Sequence, residues 1–121
     1  MTSDQVAADV QVAMIAMGDY SQRALAIVRD AKDCDSAAKQ LETLVPEFAE
    51  LGPRIMKVRA RMMALPAADR DRIQRESEQM FDTMKHKFAD ADQVVAKVDA
   101  CEKSSKAFAD VSPKVMFQKK H

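Results

Sequence analysis

The chain contains 121 residues, with 19 basic and 19 acidic side chains, so it carries no net charge that would attract nucleic acid or anionic lipid. Its two glycines and four prolines are too few for the turns of a β-rich fold, whereas its Ala, Met, Gln and charged residues favour helices. The chain contains no run of 18 apolar residues, which a membrane-spanning helix would need. Length and composition therefore predict a single all-α domain without a membrane span.

The first predicted helix covers residues 3–33. Thr2 and Gln5 match a capping box, in which the two side chains satisfy free backbone N–H groups at the helix start. The segment 33–36, Asp-Cys-Asp-Ser, is expected to end this helix and cap the next, since short acids and Ser accept from exposed N–H groups. The apolar positions recur at steps of three and four residues: Val6, Val10, Ala13, Met14, Met17, Ala24, Val28 and Ala31.

The second predicted helix covers residues 36–65. Pro46 and Pro53 interrupt it, because each proline removes a backbone hydrogen bond and clashes with the preceding turn. The apolar stripe keeps its phase across both prolines, which indicates one bent helix, with a full break expected first at Gly52-Pro53. The stripe consists of Leu41, Leu44, Val45, Phe48, Leu51, Ile55, Val58, Met62 and Leu65.

The segment 65–69 is predicted to be a tight turn with Pro66 at the first position of a third helix, which ends near Cys101. A short helix is then expected from Ser104 through Phe108, with Ser112-Pro113 as its stop. The domain is therefore predicted over residues 1–112, followed by a flexible tail over residues 113–121 in which Val115 or Phe117 could dock. The third helix is marked by Ile73, Met80, Phe81, Met84, Phe88, Ala91, Val95 and Val98.

The only two cysteines fall at matching ends of the second and third predicted helices. These helices, about 30 and about 34 residues long, would span roughly 45 and 51 Å, and the turn at Pro66 is short enough to require an antiparallel pair. Cys34 and Cys101 would then meet at one end of a long antiparallel three-helix bundle with up-down-up topology. A disulfide there would close a loop of about 70 residues, worth about 4 kcal/mol in the chain-entropy model. The alternative is a pair of buried free thiols in a reducing compartment.

The nine methionines raise the possibility of a haem or copper carrier, because thioethers are soft ligands. Most of them lie on or beside the predicted apolar stripes, which favours core packing, and no Cys-x-x-Cys-His motif for covalent haem is present. We therefore predict no cofactor and no metal site, since the isolated cysteines also lack zinc-ligand spacing. The methionines in question are Met14, Met17, Met56, Met62, Met63, Met80 and Met84.

Basic residues are concentrated in the middle of the chain, where residues 54–75 contain seven bases and two acids. They would make the turn end of the bundle positive and could hold phosphate, anionic lipid or an acidic partner. An ordinary solvated surface is the alternative, because acids lie close by and no aromatic residue interleaves for base stacking. The candidate patch consists of Arg54, Lys57, Arg61, Arg70, Arg72 and Arg75.

No arrangement of residues typical of catalysis is present, so we predict no catalytic site. His86 and His121 are the only histidines, the serines lie outside any nucleophile-elbow motif, and glycine-rich phosphate loops are absent. Paired acids such as Asp33 and Asp35 are typical of helix caps.

The sequence resembles small, uncharacterised, secreted helical proteins of Gram-negative bacteria that carry a cysteine at each end of a helical hairpin. The similar segments are Lys-Asp-Cys-Asp-Ser-Ala-Ala at 32–38, Leu-Pro-Ala-Ala-Asp-Arg at 65–70 and Asp-Ala-Cys-Glu at 99–102. A second likeness, over residues 65–88, is to Spy-type periplasmic chaperones, although their Leu-Thr-x-x-Gln motifs are missing here. The resemblance implies a periplasmic setting and names no activity.

Together these observations predict a non-enzymatic binding or structural protein of the bacterial cell envelope, with a protein or polypeptide partner, as a monomer or homodimer. A signal peptide is presumed to have been removed, and reduced cysteines would instead indicate the cytoplasm. Two alternatives stay open. One is a small-ligand or metal carrier that uses the methionine-rich interior, and the other is a cytoplasmic module that binds anions or nucleic acid.

Overall fold

A computed structural model describes residues 2–84 and 90–116 of the chain. The described residues form α-helices joined by short connections, without a β-strand among them. The all-α prediction is therefore confirmed. The helices are α1 (Ser3–Asp30), α2 (Cys34–Leu41), α3 (Val45–Met63), α4 (Ala67–Met84), α5 (Ala91–Ser104) and α6 (Lys106–Val115).

Helix α1 is the central element, since it contacts each of α2, α3, α4 and α5. The predicted capping box is present: the Gln5 side chain accepts from the Thr2 N–H at 3.0 Å, and the Thr2 hydroxyl accepts from the Gln5 N–H at 3.2 Å. The helix ends at Asp30, three residues before the predicted end, and Ala31 is extended. Lys97 of α5 donates to the Ala31 carbonyl at 3.1 Å, which satisfies an acceptor that the helix no longer uses.

The second predicted helix is interrupted at residues 42–44, which form a single 3₁₀ turn between α2 and α3. Pro46 lies in the first turn of α3, where a missing N–H group costs no helical hydrogen bond. Pro53 lies inside α3, which continues past it to Met63. The expectation that a full break would fall at Gly52-Pro53 is therefore wrong, because the chain breaks before the first proline instead.

The third predicted helix begins at Ala67, and the Pro66 carbonyl just before it accepts from the Arg70 N–H at 3.0 Å. Helix α4 reaches Met84, and α5 runs from Ala91 to Ser104. The prediction of one continuous helix as far as Cys101 depends on residues 85–89, which lie outside the described residues.

Helix α6 extends further than the sequence suggests. Ser105 caps its start by accepting from the Phe108 N–H at 3.2 Å, and the helix passes through Ser112 and Pro113 to Val115. The predicted stop at Ser112-Pro113 is wrong, because burial of Val115 holds the last turn in place. The predicted docking of Val115 is confirmed, whereas the rest of the proposed tail, 117–121, lies outside the described residues.

The cysteines meet as predicted. Cys34, at the start of α2, and Cys101, in the last turn of α5, form a disulfide with Cα atoms 5.4 Å apart. Beside it, the Ser105 hydroxyl donates a hydrogen bond to the Asp35 carboxylate, which adds a polar link between the start of α2 and the end of α5.

The described residues form an apolar interior with two parts of unequal size. The disulfide-end core is the larger and combines residues of α1, α2, α3, α5 and α6. The turn-end core, which lies near the α3–α4 connection, contains three buried residues, Val6, Val10 and Ile73. The buried residues of the disulfide-end core are Tyr20, Ala24, Val28, Ala37, Ala38, Leu41, Leu44, Leu51, Val94, Val98, Cys101, Phe108, Val111 and Val115.

Replacing Gly52 by Ala tests whether α3 is continuous. An added Cβ at Gly52 would meet no atom within 4 Å, so the substitution removes only the entropy cost of a helical glycine. We expect Gly52→Ala to raise the free energy of unfolding in urea by about 0.5–1 kcal/mol. Gly18→Ala is the matched comparison and should gain less, because its new methyl group meets the Met84 side chain. If Gly52→Ala destabilised the fold, the backbone at residue 52 would have to be bent so that an added side chain does not fit, which would contradict a continuous α3.

Candidate functional site

The six basic residues of the predicted patch are spread over α3 and α4. Arg54, Lys57 and Arg61 follow one side of α3 at steps of three and four residues, and all three are exposed. Arg70, Arg72 and Arg75 belong to α4, where each residue turns the side-chain direction by about 100°.

The three arginines of α4 do not share one face. Arg70 and Arg72 are half-buried on opposite flanks of Ile73, which faces the core, and Arg75 is exposed on the outer side. Because Arg70 and Arg72 are two residues apart on the helix, their side chains point in directions that differ by about 160°. The basic residues therefore surround the turn end instead of forming a single positive patch.

Two of these six basic residues are paired with acids of α1. Arg61 lies 3.4 Å from Asp9, and Arg72 lies 3.4 Å from Asp4. Arg72 also donates to the Ser3 hydroxyl, while its Nε atom is buried with no hydrogen-bond partner among the described residues. These two side chains join α3 and α4 to the first half of α1.

An open groove lies beside the turn-end core. Its floor comes from α1 and its two sides come from α3 and α4, and it encloses about 390 Å³. We call it the methionine groove, because Met14, Met17 and Met62 line it and all three are half-buried. The other lining residues are Val10, Ala13, Ile55, Val58, Arg59, Gln74, Ser77 and Glu78.

The groove continues along α4 into a second cavity of about 440 Å³. Met14, Ser77 and Glu78 line both cavities, and Phe81 and Asp82 are added in the second. The Phe81 side chain is 55% exposed, which is unusual for an aromatic residue of a small helical domain. The site therefore presents apolar side chains to solvent, with Glu78 and Asp82 on its α4 side and Arg59 on its α3 side.

Helix α6 ends just short of this groove. It packs against α2, α5 and α3, and its last residue, Val115, accepts a 2.6 Å hydrogen bond from the Tyr20 hydroxyl of α1. Met17 is three residues before Tyr20, or about 4.5 Å along the axis of α1. The end of α6 is thus tied to α1 at Tyr20, one turn from the first groove residue of α1, Met17.

The sequence identified the groove methionines but not their setting. Met14, Met17 and Met62 lie in phase with the core, and the apolar pattern therefore predicted core packing. They are instead half-buried on the walls of an open groove. A pattern of apolar residues shows which face of a helix turns inwards, but it does not show whether another element covers that face.

Packing and ion pairs explain the pKa shifts of Tyr20, Glu47 and Arg29. Tyr20 is almost fully buried, and this burial, followed by the nearby Glu47 carboxylate, raises the pKa of Tyr20 to about 12. Arg23 pairs with Glu47 and lowers the pKa of that carboxyl. Arg29 lies in a separate cavity of about 310 Å³ between α1 and α5, where its bonds to Asp30 and Asp90 raise the Arg29 pKa.

The described residues contain neither a cluster of metal-ligating side chains nor a membrane-spanning helix. Within 2–84 and 90–116, there is no group of three or more His, Cys, Asp or Glu side chains that could hold a metal ion. Over the same residues, no helix has both the length and the apolarity that crossing a bilayer requires. Both histidines lie outside these ranges.

Comparison of the chain with protein-family models, with curated proteins and with solved structures finds no match.

The contact between Tyr20 and Val115 can be tested by titration, because Tyr20 is the only tyrosine and the chain has no tryptophan. We expect ultraviolet absorbance to give a pKa of about 12 in the folded chain and about 10 in denaturant. The folded-state value is the higher one, so this group stabilises the fold below pH 10, and the contribution is lost as the pH rises from 10 to 12. A folded-state pKa near 10 would show that the hydroxyl is exposed and that α6 is not held at this point.

Proposed function

We propose that this chain is a non-enzymatic helical binding protein of the bacterial cell envelope, which holds an apolar segment of another polypeptide in the methionine groove. The observation that carries the proposal is an open apolar groove between α1, α3 and α4, with three half-buried methionines on its walls. A small soluble domain rarely leaves a continuous apolar surface open to solvent, so a groove of this kind is typical of an interaction site.

The chemistry of the lining favours a polypeptide ligand. Methionine is unbranched and polarisable, so it can adapt to apolar side chains of different shapes and is common on surfaces that bind varied sequences. Ser77 and Gln74 provide hydrogen-bonding groups at the α4 wall, and Arg59 and Glu78 provide charges at the two edges. Apolar surface bordered by a few polar groups is the usual composition of a peptide-binding groove.

We further propose an up-down-up bundle as the framework of this site, with α1, the pair α2–α3 and the pair α4–α5 as its three legs. Contacts of α1 with α3, α4 and α5 support that arrangement, as does the pairing of Cys34 with Cys101. In such a bundle the disulfide and the groove lie towards opposite ends, so a ligand could bind without disturbing the larger core.

The proposed location in the cell envelope depends on the disulfide. Such bonds persist in oxidising compartments, including the bacterial periplasm, and are rare in the cytosol. Alkylation at cell lysis followed by intact mass measurement reports the thiol state, and a chain with two alkylated cysteines would contradict this location.

A second candidate function is the carriage of a soft metal ion, because three thioethers, those of Met14, Met17 and Met62, line the same groove. Thioether sulfur is a ligand for Cu(I). The two functions make different demands on the methionines, since a metal needs the sulfur atoms, whereas an apolar polypeptide segment needs only the volume.

Tryptophan scanning of α4 tests the polypeptide-binding proposal. Ser77→Trp would place an indole in the groove, whereas Gln79→Trp places the same group on the exposed outer side of the helix. Against an array of labelled 15-residue peptides that differ in apolar content, the unmodified chain should select apolar ones. Ser77→Trp should weaken this binding about tenfold or more, since it removes the space, and Gln79→Trp should bind normally. Equal binding by both variants, with unchanged helix content, would contradict the assignment of the groove.

Leucine substitution separates the two candidate functions. Replacing Met14, Met17 and Met62 together by Leu keeps a similar volume and removes all three sulfur atoms. We expect peptide binding to stay within about threefold of the unmodified chain, and a Cu(I) titration against a colorimetric competitor to show no saturable site in either protein. Saturable Cu(I) uptake that the triple substitution abolishes would favour the metal carrier.

A further inference from the structure

The described methionines are absent from the buried residues of both apolar cores. The buried side chains of the disulfide-end core are those of Val, Leu, Ala, Tyr, Phe and Cys, and those of the turn-end core are Val and Ile. Every methionine within 2–84 and 90–116 is half-buried or exposed, so solvent reaches each of these residues. They are Met14, Met17, Met56, Met62, Met63, Met80, Met84 and Met116.

The thioethers face little competition for an oxidant in the folded chain. The sequence has two cysteines, and both are joined in the disulfide, so no free thiol is present. Tryptophan is absent, and the single tyrosine, Tyr20, is buried. Methionine oxidises to methionine sulfoxide, which turns a flexible apolar side chain into a polar one. An oxidant in solution would therefore act on this chain mainly through its methionines.

Three of the thioethers line one groove. Met14 and Met17 are three residues apart and share a face of α1, while Met62 belongs to the α3 side of the same groove. A sulfoxide oxygen on these walls would be hydrated, and an apolar ligand would have to displace that water without replacing its hydrogen bonds. Oxidation at these positions would thus remove the apolar character on which the proposed binding depends.

The larger core is built so that such oxidation would spare it. It contains α6 and the disulfide, and the hydrogen bond from Tyr20 to Val115 lies beside it. A sulfoxide inside a core would bury an unsatisfied polar oxygen, which is destabilising. A half-buried methionine can instead turn the added oxygen towards water. The chain therefore keeps its oxidisable sulfur apart from the packing that holds α6 in place.

Building on the proposed function, we infer that Met14, Met17 and Met62 form an oxidation site that regulates the groove, at which a peroxide lowers the affinity for apolar ligands and leaves the fold intact. In each step the thioether sulfur attacks one oxygen of hydrogen peroxide, an S–O bond forms and the O–O bond breaks. The sulfur loses two electrons, and the peroxide is reduced to water. Methionine sulfoxide reductases reverse the change, with two thiols oxidised to a disulfide and the oxygen released as water.

Peptide mapping by mass spectrometry after treatment with hydrogen peroxide tests the site without a ligand. We expect one added oxygen at each of the three groove methionines, with the helix content and the pKa of Tyr20 unchanged. Met56 is 71% exposed and should oxidise first, which makes it the internal reference for access by the oxidant. If the groove methionines stay unmodified after Met56 is fully oxidised, or if helix content falls as they oxidise, the inference is overturned.

Leucine variants test whether the groove methionines cause the loss of affinity. One variant replaces all three by Leu, and its matched control replaces Met56 and Met63, which are exposed and lie outside the groove lining. After peroxide treatment, the unmodified chain and the control should bind apolar peptides about tenfold more weakly or worse, because a polar group is then covered without a hydrogen bond. The triple variant should bind as before the treatment, and sulfoxide reductases should restore binding by the unmodified chain. A loss of equal size in the triple variant would overturn the inference.

This inference and the proposed function fail in different ways. If the unoxidised chain binds apolar peptides, and binding is the same once all three groove methionines carry oxygen, the proposed function stands and the inference is overturned. If the unoxidised chain binds no peptide, the proposed function falls, and the fluorescence of anilinonaphthalene sulfonate becomes the measure of an apolar groove. Dye binding that peroxide removes from the unmodified chain but not from the triple variant would support the oxidation site. Without such dye binding, both proposals fall.

Discussion

The disulfide between Cys34 and Cys101 is the constraint on which the rest of the structure depends. It joins the first residue of α2 to the last turn of α5, two positions separated by 67 residues in sequence. A cross-link over a loop of this size contributes about 4 kcal/mol in the chain-entropy model, a large part of the 5–15 kcal/mol that is usual for a domain. With these ends fixed, Ser105 bonds to Asp35 and α6 can pack across α2 and α5.

The stability of the disulfide end permits a less compact turn end. Near the disulfide, α6 completes a core in which Phe108 and Val115 are fully buried. Near the α3–α4 connection, the core has three buried residues, and Arg61 and Arg72 hold the helices to α1 through exposed ion pairs. Such pairs contribute little each, about 0–1 kcal/mol. The groove proposed as a binding site thus lies beside the smaller core, with half-buried methionines on its walls.

Local sequence patterns predicted the parts of the fold that local interactions determine. The capping box at Thr2 and Gln5 depends on four adjacent residues. The meeting of the cysteines was predicted from the lengths of two helices, and it holds although the structure divides the first of them at residues 42–44. The end of α6 was mispredicted, because burial of Val115 against Tyr20 outweighs the proline at 113. The groove could not be predicted, since Met14, Met17 and Met62 have the spacing of core residues. Whether a core face is covered depends on how helices distant in sequence pack, which apolar spacing does not show.

Native-state hydrogen exchange tests most directly whether the chain has a stable disulfide end and an open turn end. We expect the highest protection for the amides of α2, α6 and the second half of α1, with free energies of opening close to that of global unfolding. We expect lower values for α4 and the first half of α1. Protection in α4 equal to or above that in α6 would contradict this division, because it would require a closed, well-packed interior beside α4 in place of the groove.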